Sequence, residues 1–156
     1  MGMCFNDPLP IFKKAFDSLN PGGYLEMFDF DADFRCIDSS SDNTQLRKCS
    51  DMMITGAAQL GKVITNAPKY KRFFKEAGFV DVVEERFQWP FNTWPKGKYY
   101  KTLGLWYNRD MLEGLEGMMM AVFTRAHGMT KEEVLEMLEG VRRDINDTNV
   151  HAYLPM

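Results

Sequence analysis

Apolar residues recur every three or four positions along several stretches of the chain, and the residues flanking each stretch mark its ends. Leu9, Phe12, Phe16 and Leu19 form one helical stripe. Asp7 is placed to cap it, Pro8 suits its first position, and Asn20-Pro21-Gly22-Gly23 breaks it, so a helix is predicted over 8–18. Leu46, Cys49, Met53, Ala57, Leu60 and Ile64 give the longest regular stripe and predict a helix over 44–64. A shorter helix starts at Pro68, carries Tyr70, Phe73, Phe74 and Ala77 on one face, and stops at Gly78. The last begins at the capping box Thr130-Lys131-Glu132-Glu133, and Val134, Leu138, Val141 and Ile145 continue its apolar face.

Two apolar runs bounded by Gly or Pro, 24–30 and 79–89, read as strands. Between the first strand and the long helix, 31–42 is polar and turn-rich, while 90–97 is a loop following Trp89-Pro90 and containing Trp94-Pro95. Residues 99–125 are apolar and mostly helical, yet Gly104, Gly114 and Gly117 interrupt them. Each glycine costs a helix interior about 1 kcal/mol relative to Ala. Close packing, a kink, or a surface approaching a ligand would account for them. Residues 151–156 read as a short extended tail. Helices on a small sheet place the chain in the α/β class.

At 156 residues this is one domain, and no apolar run approaches the length of a membrane span. Net charge is −3 and no basic block exists, so neither nucleic acid nor an anionic membrane is an expected partner. The N-terminal residues lack the basic-then-apolar order of a signal peptide. Cys4, Cys36 and Cys49 are too scattered for a disulfide framework, so reduced thiols in an intracellular compartment, cytoplasmic or nuclear, are expected. Cys49 lies on the long apolar stripe, where a buried structural thiol is the expectation. Twelve Met and twelve Phe supply a soft, adaptable apolar mass, as a core or as a binding surface.

Some segments carry a resemblance. FKKAFDSLNPGGYLEMFD over 12–29 resembles the helix, L-x-PGG turn and acid-ended strand of class I S-adenosylmethionine-dependent methyltransferases. APKYKRFFKEAGFVDV over 67–82 is similar to that family's helix, A-G-F and strand element. Trp94-Pro95, Gly104-Leu105-Trp106, Leu112-Glu113-Gly114-Leu115-Glu116, Phe123-Thr124-Arg125 and His151-Ala152-Tyr153 look like the fungal LaeA-like (TAM-domain) subgroup of secondary metabolism. The resemblance covers nearly the whole chain. It implies a partial Rossmann-like methyltransferase domain over 1–156, with a helical acceptor-covering insertion over 97–129. The family's Gly-rich cofactor loop and its ribose-binding acid have no counterpart here, and Gly22-Gly23 belongs to a later turn. By the same resemblance the N-terminal strands and the last strand are lacking. The two strands at 24–30 and 79–89 would then not be neighbours, because strand seven normally separates them. They would re-pair directly, or another chain would complete the sheet.

The implied activity is methylation of a small apolar secondary metabolite with S-adenosylmethionine, a cofactor the isolated chain would not hold in the usual way. The alternative is a non-catalytic remnant that binds a ligand or partner, or a pocket turned to a non-methylating reaction such as cyclisation. Glu26, Asp29, Asp31 and Asp33 cluster at a predicted strand end, where α/β folds gather ligands, and Glu26 and Asp29 are the candidate cofactor residues. Solvated loop acids are the alternative. His127 is a candidate acceptor-side base or a loop histidine. His151 and Tyr153 lie near the pocket by resemblance, or are ordinary tail residues. Tyr100, Trp106, Tyr107 and Met119 are the candidate substrate-binding residues, offering apolar faces with polar tips and a deformable wall, or simply core packing. The acids and the two histidines show no metal-ligand spacing. A homo-oligomer or a complementary half-domain is the expected protein partner.

Overall fold

Thr130 sets the start of the last helix as its capping box requires: Glu133 N–H donates to Thr130 Oγ1 at 3.2 Å, and Thr130 N–H donates to Glu133 Oε2 at 2.8 Å. The computed structural model describes residues 5–156, so Cys4 and all but the end of the segment 1–5 lie outside the described residues. In chain order the elements are α1 (Leu9–Ser18), β1 (Arg35–Cys36), α2 (Gln45–Gln59), α3 (Tyr70–Ala77), β2 (Gln88–Pro90), α4 (Lys98–Ala126), α5 (Lys131–Asn146) and β3 (Ala152–Pro155). Short 3-10 turns occupy Ser39–Ser41 and Ala67–Lys69.

The main core lies where α2, α4 and α5 pack on one another and on the sheet. Leu115, Phe123, Val134, Leu138, Val141 and Ile145 are sealed there. Thr44 caps α2 through its Oγ1, which accepts from Arg47 N–H at 3.1 Å. The Asp144 carboxylate on α5 accepts from Leu46 N–H at 2.9 Å, so an anion on one helix satisfies the positive end of another. The α2 helix ends at Gln59 rather than 64, because Gly61 takes a left-handed φ of +71° and turns the chain. A second, smaller cluster joins α1 to α3: Phe12 stacks on Phe74 at 4.5 Å and is edged by Tyr70 at 5.6 Å.

The sheet differs from the expectation. The tail 151–156 is its middle strand: β3 runs antiparallel to both neighbours, in the order β1-β3-β2. Arg35 faces Tyr153 across one ladder, and Trp89 faces Leu154 across the other. The C-terminal residues thus pair with Arg35–Cys36, beyond the first predicted strand, and with the end of the second. Residues 24–30 form no ladder, and only Gln88–Pro90 of 79–89 does. A strand exists through its partner's hydrogen bonds, and the three-stranded sheet offers none to 24–30 or 79–86, while Phe87 exchanges a pair with Met156 beside the ladder. Asp81, with φ +52°, further breaks the second run. Tyr24, Phe28, Val80 and Val83 are consequently exposed.

The α4 helix is continuous over 29 residues, so none of its glycines stops it. Gly104 is where the backbone of the 90–97 loop presses on it: a Cβ there would run into the Asn92 carbonyl. Asn92 is buried and its amide donates to Ile145 O at 3.1 Å and Asp147 O at 3.0 Å, closing the end of α5. Gly117 faces open space. The two glycines should separate cleanly in thermal unfolding. Gly104→Ala is expected to destabilise by at least about 2 kcal/mol through overpacking. Gly117→Ala is expected to stabilise by up to about 1 kcal/mol through helix propensity.

Candidate functional site

The sheet has two faces, and each borders a cavity. Leu154 and its cross-strand partner Trp89 point with Phe34 and Phe91 toward α2 and α4. There they close a cavity of about 330 Å³ whose other walls are Cys49 and Met53 of α2 and Tyr107, Met111, Leu115 and Met119 of α4. The lining is almost wholly apolar, as small-molecule sites generally are. Tyr107 is buried against Trp89 at 5.4 Å and Phe91 at 5.5 Å, and burial, then the nearby Asp110 charge, raises its phenol well above the ordinary value. Burial pushes the Cys49 thiol up to about 12, so this cysteine is part of the wall and no nucleophile. Ser50 Oγ is buried in the same region with no hydrogen-bond partner among the described residues.

The opposite face, carrying Tyr153, Arg35 and Gln88, borders a more polar cavity of about 290 Å³ against α3. Asp29 lies there, accepting from the Tyr70 hydroxyl at 2.7 Å, and burial and that carboxylate raise the Tyr70 phenol. Asp31 is buried and faces Arg35 at 3.7 Å, whereas the exposed Asp33 pairs with Arg47 at 3.0 Å.

The candidate residues thus separate. Tyr107 and Met119 line the apolar cavity, whereas Tyr100 and Trp106 are exposed on α4 away from it and Tyr153 faces the other cavity. Trp89, Ser50 and Asp110 line the apolar cavity and were not singled out by the sequence; the only available signal was the spacing of Asp110 three residues after Tyr107 on one helix. His127 Nε2 lies 2.8 Å from Met52 O, which can only accept, so Nε2 carries the proton and the ring pins the end of α4 to α2. Gly56 makes room for it, since a Cβ there would sit 2.7 Å from Nε2.

His151 belongs to a polar cluster at the start of β3. Its Nδ1 lies 2.6 Å from Asp38 Oδ2, its N–H donates to Ser40 Oγ at 2.9 Å, and its ring rests on Trp94 at 5.3 Å. Asp38 also accepts from Ser40 N–H at 3.0 Å and lies 3.3 Å from the Cys36 thiol. The Ser40 side chain, then His151, then the Ser40 N–H hold the Asp38 carboxyl well below the usual carboxylate range. Among the described residues no three His, Cys, Asp or Glu side chains are grouped to hold a metal ion, and no helix is long and apolar enough to cross a membrane.

S-adenosylmethionine does not fit the residues present. Gly22 sits at an exposed turn with nothing near its missing Cβ, so the turn forms no cradle. Glu26 is exposed and lines neither cavity, and Asp29 is engaged by Tyr70 and by the Phe30 N–H at 3.0 Å. The two anchors the cofactor needs, a backbone loop for its methionine end and an acid for its ribose, are not assembled among the described residues.

The depressed Asp38 carboxyl has a pH consequence. A lowered folded-state value contributes stability above the unfolded-state value, and that stability is lost as pH falls below about 4. Urea unfolding at pH 5 and at pH 2.5 should therefore show the native chain losing more stability between the two than Asp38→Asn does.

Sequence comparisons add ancestry. No family profile and no solved structure matches the chain. It is 31% identical to the probable methyltransferase tdiE of Emericella nidulans, over 94% of this chain and 46% of the relative. It is 32% identical to the secondary metabolism regulator LAE1 of Cochliobolus heterostrophus, over 92% of this chain and 48% of the relative. It is 25% identical to the protein-methionine methyltransferase laeA of Emericella nidulans, over 92% and 38%. The chain spans about half the length of the curated relatives it matches. Nearly the whole of this chain thus aligns with part of the LaeA-like methyltransferases of fungal secondary metabolism, and it is related to them in sequence.

Proposed function

We propose that this chain is the acceptor-binding half of a LaeA-like methyltransferase, acting on a small apolar secondary metabolite inside the cell. The observation that carries the reading is the apolar cavity of about 330 Å³ between α2, α4 and the sheet. A volume of that order suits a small molecule and excludes a folded protein segment. Its Met side chains let the wall re-pack around varied apolar shapes. The relatives' names point to methyl transfer and secondary metabolism. In this reading the Rossmann-like strands and the cofactor anchors come from a complementary half-domain, because a second copy of these residues would lack the same anchors. The exposed apolar residues of 24–30 and 80–87 are the face on which it would pair.

Two measurements test the reading. Calorimetry of the purified chain with S-adenosylmethionine should give no binding tighter than about 100 μM, equivalent to about −5.5 kcal/mol; a low-micromolar constant contradicts the division of labour. Titration with 1-nitronaphthalene, an apolar quencher, should give saturable loss of tryptophan fluorescence. Trp89 lines the cavity and Trp106 is exposed on α4. Trp106→Phe should therefore keep the saturable signal and Trp89→Phe should lose most of it. The reverse pattern would move the binding surface to the outer face of α4.

A further inference from the structure

Besides Ser50 on α2, polar groups without hydrogen-bond partners among the described residues meet the apolar cavity on α4. Tyr107 and Asp110 lie one turn apart on α4, and both line the cavity. Neither the Tyr107 hydroxyl nor the Asp110 carboxylate makes a hydrogen bond or ion pair within the described residues. They are close enough for the Asp110 charge to act on the phenol, which burial already keeps protonated. Tyr107 is buried, and a hydroxyl in an apolar site is costly unless something satisfies it; Asp110 is exposed at the rim of the cavity and sets a negative charge beside that hydroxyl, so the placement of the pair selects the ligand that meets both. A carboxylate can only accept, so the ligand group that meets Asp110 must donate. A phenol can donate or accept, so it tolerates the same group. The rings of Trp89, Phe91 and Tyr107 pack beside this spot, Tyr107 lying edge to face with Trp89 at 5.4 Å and tilted against Phe91 at 5.5 Å. Aromatic faces attract cations as well as flat apolar bodies.

We infer that the occupant of this cavity is an arylalkyl amine, a cation near neutral pH, its apolar body among the Met and aromatic side chains and its nitrogen between the Tyr107 hydroxyl and the Asp110 carboxylate. This rests on the reading of the cavity as the acceptor pocket, and it names the acceptor's class. An amine is favoured over a neutral hydroxyl because a charge-assisted hydrogen bond is roughly twice as strong as a neutral one. A carboxylate-bearing ligand is disfavoured, since it would bring a second negative charge to Asp110 and offer it no donor.

Four probes of one size and shape separate the outcomes in calorimetry on the full chain at pH 7: 1-naphthylmethylamine, 1-naphthylmethanol, 1-methylnaphthalene and 1-naphthoate. The expected order of affinity is amine, alcohol, hydrocarbon, acid, with the amine at least tenfold tighter than the hydrocarbon. Asp110→Asn should remove the amine's advantage and leave the hydrocarbon unchanged. Glu113→Gln, at an exposed acid paired with Arg109 outside the cavity, should leave the whole order intact. Equal affinities for all four probes, or an amine preference that survives Asp110→Asn, overturn the inference while leaving the cavity as a general apolar pocket. If no probe binds, the acceptor-pocket reading itself fails and takes the inference with it.

Discussion

The alternation of side chains along β3 is the constraint on which the two halves of the molecule depend. Ala152 and Leu154 are buried on the face that meets α2 and α4, whereas Tyr153 and Pro155 turn to the face that meets α3. The cross-strand pairs obey the same division: Trp89 accompanies Leu154, and Arg35 accompanies Tyr153. A slip of β3 by one residue would exchange its apolar and polar faces and place Tyr153 in the apolar cavity. The bonds Phe87 N–H to Met156 O at 3.0 Å and Met156 N–H to Phe87 O at 2.9 Å hold the register at the strand's far end.

Three polar pins fix the helices around that sheet. Asn92 ties the loop after β2 to the end of α5, Asp144 ties α5 to the start of α2, and His127 ties the end of α4 to the middle of α2. Each satisfies backbone groups that a helix end leaves open or a core would strand, so each offsets a desolvation cost rather than adding free attraction. With the helices pinned, the apolar cavity keeps its walls, and its unpaired polar atoms stay where a ligand can reach them.

Local signals were legible in the sequence, and pairings were not. The capping box at Thr130, the Thr44 start of α2 and the Gly78 stop of α3 act within a few residues, and each is where the pattern put it. Strands at 24–30 and 79–89 read well as apolar runs, but a run becomes a strand only when a partner is present, and the partner sits at 152–155, over sixty residues further along the chain. The alternation Ala152, Leu154, Met156 was present in the sequence but too short to stand out from an extended tail. The same limit affects the site. Tyr107 and Met119 could be chosen as apolar residues of the right kind, but Tyr100 and Trp106 share their chemistry and lie outside, because helix rotation decides which of them faces the sheet. Ser50 carried no signal and Asp110 only its spacing from Tyr107, since each reads as an ordinary polar helix residue until the opposite wall is known.

Methionine is well placed to report on this arrangement. Met53, Met111, Met118 and Met119 line the apolar cavity, Met27 lines the polar one, and Met156 borders both. A titration with 1-naphthylmethanol followed by NMR of ¹³C-methyl-labelled methionines, assigned by single substitutions, reads all of them at once. The account predicts saturable shifts at Met53, Met111, Met118, Met119 and Met156, with Met27 unmoved. Shifts centred on Met27, or none at the four methionines of the apolar cavity, would contradict it.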